Sequence, residues 1–438
     1  MQQDIQSSQR SRLIRKNIIL SFVIKGWSAL VVLMMVPLTL KMLGIYNNGV
    51  WLTISSVLIW IDLMDIGLGN GLRNTVAHYV ALGDDTKVRE AVSSTFFMLA
   101  VIVTPLLLLF YSFIWLFDAY GSLGVNAQMV DNLNTVLTIA VTLASGTFIL
   151  KATGNFYMGL QLPAVNNLIV CIGQTLILLV MFIAYIVGCR SLLAVAIIST
   201  ATPLCTWALS IPYTFLVRYP QYRPSVRHIN LTMSKSLCSM GIQFFVLQIC
   251  GVILFMSTNI IISRLFSPAE VTPYQIAYRY FNLVLVLFTT ICMPFWNATT
   301  DAYTRGDTDW IHRMARKLNF LMAGCALLLT VMVLCSNIVY RLWVGSEIHI
   351  PIDLSAGIAL YIFIIVFSQR YSFILNGLNI LRIQLYFTVL ATVAFLPLAL
   401  IVCRNYATVT SLTLVMCLVN VPGLIANIWK YRQVMKKM

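Results

Sequence analysis

The sequence is poor in charge, and this scarcity says most about its class. Only 10% of its 438 residues are Asp, Glu, Lys or Arg, whereas 60% are apolar and the mean hydropathy is +0.87. A typical soluble domain carries roughly 25% charged residues, so this composition excludes that class. We therefore expect a polytopic membrane protein.

Residues that build metal sites and nucleophile sites are also few and scattered. The four histidines are isolated and the ten cysteines form no Cys-x-x-Cys pair, so neither a zinc site nor a Cys/His nucleophile can be assembled. No basic face with interleaved aromatics indicates a nucleic-acid partner. We expect no catalytic residue, no metal, no cofactor and no nucleic acid, while a proton or sodium gradient stays open as the energy source.

Long apolar runs are what the chain has in abundance. A spanning helix needs about 20 such residues, and the chain offers about twelve runs of that kind. They lie near 17–43, 48–72, 91–117, 132–158, 164–188, 192–217, 238–263, 271–298, 315–339, 352–378, 383–403 and 407–429. The predicted fold is an all-α integral membrane protein with about 12 transmembrane helices.

Positive charge predicts the orientation of these helices. The net charge is +15, and most loop Lys and Arg residues fall in the N-terminal arm, the even-numbered loops and the C-terminal tail. Such residues are retained on the cytoplasmic side, so both termini are expected there. The Arg- and Pro-rich stretch 218–237 is then a cytoplasmic linker, either solvated or weakly helical on anionic lipid. It separates six-helix bundles at 1–217 and 238–438.

The two predicted bundles share a layout. A shift of 223 positions places Tyr274 opposite Trp51, and Gly306-Asp307 opposite Gly83-Asp84. Parallel repeats of this kind, with a substrate site between the halves, are the plan of many carriers. In the first half a structural helix break precedes the Gly-Asp pair, and it is carried by Asp65, Gly67, Gly69, Gly71 and Arg73.

The few charges inside the spans are the candidate site residues, because each costs at least ~2.5–3.5 kcal/mol near the bilayer centre. Lys25 and Asp62 lie at matching depths and either form a structural ion pair or line a central cavity. Arg279 has no acid near it on its own helix, and its fork of donors suits phosphate. Arg370 either lines the cavity or reaches the cytoplasmic headgroups, and Asp65 either caps a helix or snorkels.

Together the span layout, the Asp65-x-Gly67-x-Gly69 break followed by Arg73, and the Tyr274-x-x-Ala277-x-Arg279 pattern resemble one transporter family. It comprises the polysaccharide and O-antigen flippases of the multidrug/oligosaccharidyl-lipid/polysaccharide exporter (MOP) superfamily. The resemblance implies two six-helix bundles in a V around a central cavity, working by alternating access in the bacterial cytoplasmic (inner) membrane.

The same resemblance implies a substrate and its partners. The substrate would be an undecaprenyl-diphosphate-linked oligosaccharide, moved to the outer leaflet, with the lipid bilayer and glycan assembly proteins as partners. In the related lipid II flippases a first-helix cation and an eighth-helix arginine line the cavity, and Lys25 and Arg279 resemble them by position.

Two other functions stay open. A multidrug/cation antiporter of the same fold would need acids in a cation-binding lobe, and the first predicted span holds Lys25 and no acid. An integral-membrane glycan polymerase or ligase would need catalytic residues on a sizeable outer loop, and the odd-numbered loops are short.

Overall fold

The computed structural model describes residues 2–63, 65, 67–230, 232–233, 250, 257–304, 307–378, 380, 382–406 and 408–436. Some helical residues in these ranges, including 2–22, Lys25 and Asp62, are described by their backbone alone. The described residues form α-helices joined by short turns and contain no strand. They belong to two compact units, Met1–Gln248 and Ile249–Met438.

The described part of the first unit runs through eight α-helices: α1 Gln2–Leu63, α2 Leu68–Leu82, α3 Asp85–Leu116, α4 Ala119–Leu123, α5 Leu133–Leu150, α6 Ala152–Gly159, α7 Pro163–Val187 and α8 Leu192–Pro212. In α1 the backbone of Gly44 is not helical, with φ 69° and ψ 177°. Glycine adopts such a left-handed φ without the steric cost of a Cβ. Two helices therefore meet at Gly44, which lies between the first two predicted spans.

In the second unit the described α-helices are α9 Pro268–Thr304, α10 Thr308–Val344, α11 Ile352–Gly377, α12 Arg382–Asn405 and α13 Val409–Met435. Residues 257–265 are helical as well. Helix α11 lies at the centre of this unit, because it packs against α9, α10 and α13, while α12 packs against α13.

Ten helical stretches of the described chain are long and apolar enough to cross a membrane. The first of them, Gly26–Ile61, contains the Gly44 break and so corresponds to two predicted spans. The seventh predicted span, 238–263, lies largely outside the described residues. The prediction of an all-α, multi-pass membrane protein with about twelve helices is confirmed.

Close backbone approach and polar pairs hold the helices of the first unit together. Lipid is as apolar as Leu, so helices in a membrane associate through van der Waals packing and interhelical hydrogen bonds. A Cβ at Gly159 of α6 would lie 2.7 Å from the Cβ of Val76 and 2.9 Å from the carbonyl oxygen of Arg73, both in α2. The hydroxyls of Tyr157 and Thr214 form a buried hydrogen bond of 2.9 Å.

The segment that follows α8 is docked against α3. Tyr222 donates its hydroxyl hydrogen to the Asp85 carboxylate at 2.7 Å, and the Nε of Arg89 donates to the carbonyl oxygen of Arg223 at 2.9 Å. Burial, together with the hydrogen bond to Asp85, raises the pKa of Tyr222 to about 12. The described part of the predicted linker 218–237 thus packs on the first unit.

Candidate functional site

The predicted helix break separates α1 from α2. The backbone N–H groups of Gly67 and Gly69 donate to the two carboxylate oxygens of Asp65, at 2.9 and 3.1 Å. Gly67 is in the left-handed region, with φ 77° and ψ 9°. Helix α1 therefore ends at Leu63, short of the boundary at residue 72 that hydropathy predicts for the second span. The Asp65 carboxylate thus accepts hydrogen bonds from backbone N–H groups at the start of α2, which would otherwise have no acceptor.

Close packing surrounds this break. A Cβ at Gly69 would clash with the side-chain amide of Asn155 in α6 and would lie 2.9 Å from the Asp65 carboxylate. Gly71 is buried, whereas Arg73 is exposed. Asp65 therefore caps the start of α2, and the absence of a side chain at Gly69 allows α6 to pack close to α2.

Helix α9 places one of its faces in the core of the second unit. Five of its buried residues are spaced by three or four positions and are at most 2% exposed: Tyr274, Ala277, Phe281, Val284 and Phe288. Residues at this spacing lie on one side of an α-helix. Helix α9 packs against α10 and α11. Because the buried side of α9 faces this core, the other side of the helix points away from it.

The opposite side of α9 is polar and accessible. Gln275, Arg279 and Asn282 are partly exposed, and Val286, which continues the same strip, is 49% exposed. Gln275 donates its side-chain N–H to the Oδ1 of Asn259 at 2.6 Å. Arg279 makes no hydrogen bond or ion pair with any residue that the structure describes. We call Gln275, Arg279, Asn282 and Val286 the α9 strip.

The cost of placing polar groups in hydrocarbon bears on Gln275, Arg279 and Asn282, which are partly exposed on a helix long and apolar enough to span a membrane. Exposing an arginine and two amides to hydrocarbon would be costly, and intramembrane charges almost always face a bundle interior or a water-filled cavity. We therefore expect the three polar members of the α9 strip, Gln275, Arg279 and Asn282, to face water or a polar ligand.

Arg370 has a different environment. It is 3% exposed, and its guanidinium carbon lies 4.1 Å from the ring centre of Tyr371 and 4.8 Å from that of Tyr431. Its Nη2 donates to the carbonyl oxygen of Ala315 at 3.3 Å, while its Nε is buried without an acceptor in the described structure. Arg370 is thus enclosed by α10, α11 and α13.

The other two candidate charges cannot be placed with the same detail. Lys25 and Asp62 both lie on the α1 backbone, but their side chains lie outside the described residues. The choice between an ion pair and a shared cavity therefore stays a prediction.

Two members of the α9 strip, Gln275 and Asn282, are not singled out by hydropathy or by intramembrane charge. The available signal is their spacing from Arg279, four residues before it and three after it, which places all three on one side of a helix. The sequence also leaves open which side of α9 is accessible, since that depends on packing against α10 and α11.

These features define a class: a multi-pass helical membrane protein with a polar face on one of its spans. No family model matches the chain. The chain resembles a curated protein of Salmonella typhi named "Putative O-antigen transporter", with 21% identity over 298 residues. The match covers 64% of each chain, so it spans less than two thirds of that relative's length. A protein of the same name in Salmonella typhimurium strain LT2 is 20% identical over 359 residues, or 78% of this chain and 79% of the relative.

Solved structures share the fold. An inward-facing multidrug resistance MATE family transporter of the MOP superfamily gives a TM-score of 0.78 at 14% identity, covering 93% of this chain and 95% of the other. A MOP superfamily transporter from Pyrococcus furiosus gives 0.61 at 15% identity, with the same coverage. The chain therefore has the MOP transporter fold, and the resemblance inferred from its sequence is confirmed.

Proposed function

We propose that this protein is a flippase for an undecaprenyl-diphosphate-linked oligosaccharide, an O-antigen unit or the unit of another surface polysaccharide. It would move this lipid across the bacterial inner membrane by alternating access, with both termini of the protein in the cytoplasm. The observation that carries the proposal is Arg279, an accessible cation on a spanning helix with no carboxylate partner among the described residues. The names of the two Salmonella relatives support the same substrate class.

Electrostatics match this substrate to Arg279. A diphosphate brings two or more negative charges into the membrane, and fixed cations offset the cost of carrying them. The planar guanidinium fork of arginine can donate two parallel hydrogen bonds to phosphate oxygens. Each hydrogen bond to a charged group contributes about 1.5–3 kcal/mol. Arg279 is partly exposed and makes no hydrogen bond with the described residues, so binding phosphate oxygens would break none of its bonds to them.

Two equivalent helix caps support the predicted repeat of the two halves, which are related by a shift of 223 positions. Alternating access would depend on such a repeat. Asp84 accepts the backbone N–H of Lys87 at 3.0 Å before α3, and Asp307 accepts that of Trp310 at 2.9 Å before α10. Both bonds run from position N3 to the N-cap side chain. The shift of 223 positions relates the two pairs, so the Asp of the repeated Gly-Asp is the N-cap of a helix in each half.

Lys25 is the second cation of the proposal. It would attract the same diphosphate, with Asp62 tuning its charge, whereas Arg370 is enclosed between the rings of Tyr371 and Tyr431 and takes no part in the proposal. If Lys25 serves only to pair with Asp62, replacing both residues with Ala should restore abundance and export together. If Lys25 acts on substrate, the double variant should insert normally and still fail to export.

The decisive experiment substitutes Arg279 and measures membrane abundance and surface glycan in the same cells. Arg279→Ala should abolish export at normal abundance, and Arg279→Lys should retain only part of it, because an ammonium lacks the planar two-point grip. The matched control is Arg341→Ala, which removes an exposed arginine at the end of α10 and should leave export unchanged. Normal export from an abundant Arg279→Ala protein would refute the proposal.

Deleting the gene separates the flippase from the rival functions. We expect the surface glycan to disappear while its lipid-linked unit accumulates on the inner leaflet. A mutant that cannot make the lipid-linked unit would identify an enzyme of glycan assembly. A mutant with an intact glycan and increased drug sensitivity would identify a drug antiporter; two solved structures of this fold are named multidrug resistance transporters.

A further inference from the structure

The α9 strip is ordered by polarity along the helix axis. It runs from the amide of Gln275 to the cation of Arg279, then to the amide of Asn282 and the exposed apolar side chain of Val286. Successive members are three or four residues apart, so each lies about 5–6 Å further along the axis. Leu287, beside Val286, is 55% exposed and extends the apolar end.

The amide of Gln275 is held in place before any ligand arrives. Its Nε2 donates to Asn259 at 2.6 Å, which uses one of its two N–H groups. The second N–H and the Oε1 oxygen have no partner among the residues that the structure describes. A held amide with one donor and one acceptor left matches a sugar, whose hydroxyl and acetamido groups both donate and accept.

We infer that the α9 strip fixes the direction in which the lipid-linked substrate lies: Gln275 contacts the first sugar, Arg279 the diphosphate, and the Val286 end the polyprenyl chain. This inference rests on the proposed function. Sugar, diphosphate and lipid are bonded in that order, and the strip offers the amide of Gln275, then the cation of Arg279 with the amide of Asn282 beside it, and last the apolar side chain of Val286.

The opposite direction is unfavourable at both ends. It would place sugar hydroxyls on Val286 and Leu287, where they find no hydrogen-bond partner, and a hydrocarbon chain on the amide of Gln275. A buried polar group without a hydrogen-bond partner is destabilising, because it has lost its bonds to water and gained none in return. Gln275 is therefore a specificity-determining residue, because a site built to hydrogen-bond a group rejects a substrate that lacks it.

The test uses the full-length protein in nanodiscs and two probes, undecaprenyl diphosphate and the same lipid carrying N-acetylglucosamine. The natural chain should bind the glycosylated probe roughly tenfold more tightly, the value of one net hydrogen bond of ~1.4 kcal/mol. Gln275→Leu should remove this difference and leave the affinity for the bare lipid within about twofold. Gln275→Met, which is closer in shape, should do the same.

A second amide pair of the same unit supplies the control. Gln384 donates to the Oδ1 of Asn376 at 2.8 Å, so Gln384→Leu breaks an equivalent bond outside the strip. This variant should keep the tenfold preference. If Gln275→Leu and Gln275→Met keep it too, or weaken both probes equally, Gln275 is structural and the inference is overturned. If Arg279→Ala leaves the affinity for the bare lipid unchanged, the proposed function fails independently of Gln275.

Discussion

Replacing Arg370 with methionine is expected to change the stability of the second unit by no more than about 2 kcal/mol. The substitution keeps most of the length of the side chain and removes the charge. Arg370 is buried between the rings of Tyr371 and Tyr431. A buried charge without a counter-ion seldom stabilises a fold, so the sign of its contribution is informative.

The contacts of Arg370 determine how much its side chain contributes to the stability of the second unit. Two cation–π contacts contribute about 0.5–2 kcal/mol each. The bond to the Ala315 oxygen is long, at 3.3 Å, so it contributes near the lower end of about 1.5–3 kcal/mol. Against this total of about 2.5–5.5 kcal/mol stands a desolvation cost of several kcal/mol for the guanidinium. The two sides nearly cancel.

Thermal unfolding in detergent, with membrane abundance as a second readout, measures this balance. Arg370→Ala is the comparison, because it adds a cavity that costs about 2–5 kcal/mol and should be clearly less stable than Arg370→Met. Tyr431→Phe keeps the ring contact and should behave like the natural chain. A loss of more than about 3 kcal/mol in Arg370→Met would show that the charge is net stabilising and would refute the reasoning.

Three further predictions address the break, the docked segment and the topology. Gly69→Ala should lower stability because its Cβ meets Asn155, whereas Gly324→Ala, with nothing within 4 Å, should not; thermal unfolding compares them. Tyr222→Phe keeps the ring but loses its hydrogen bond, so the segment after α8 should be cut faster by protease, and an unchanged rate would argue against docking. Reporter fusions at Gln2 and Lys437 should both report the cytoplasm, and an external signal at either would overturn the predicted orientation.

Hydropathy is sufficient to predict the spans, because a run of about 20 apolar residues has few alternatives to a membrane helix. The break after α1 is predictable for a related reason: Asp65 followed by closely spaced glycines supplies both a carboxylate acceptor and a residue free to adopt a positive φ. What hydropathy misses is that the helix ends at Leu63. The apolar residues beyond Asp65 continue the hydrophobic signal into α2.

The environments of Arg279 and Arg370, the two candidate-site arginines of the second unit, could not be predicted from the sequence. A ring from Tyr431, far along the chain, encloses Arg370 together with its neighbour Tyr371. The sequence around Arg370 does not indicate that Tyr431 packs against it. For Arg279 the helical period predicts which residues share its side, but only the burial of Phe281 and Phe288 shows that this side is the accessible one.

Counting cations in spans is therefore a poor measure of the charge that a carrier presents to its substrate. Arg279 and Arg370 would contribute equally to such a count, yet one is partly exposed beside Gln275 and the other is 3% exposed between two rings. Arg370 would need the helices around it to rearrange before it could bind a phosphate, whereas the partly exposed guanidinium of Arg279 would not. The charge that a substrate meets depends on which faces are accessible, and α9 presents such a face in the described part of the second unit.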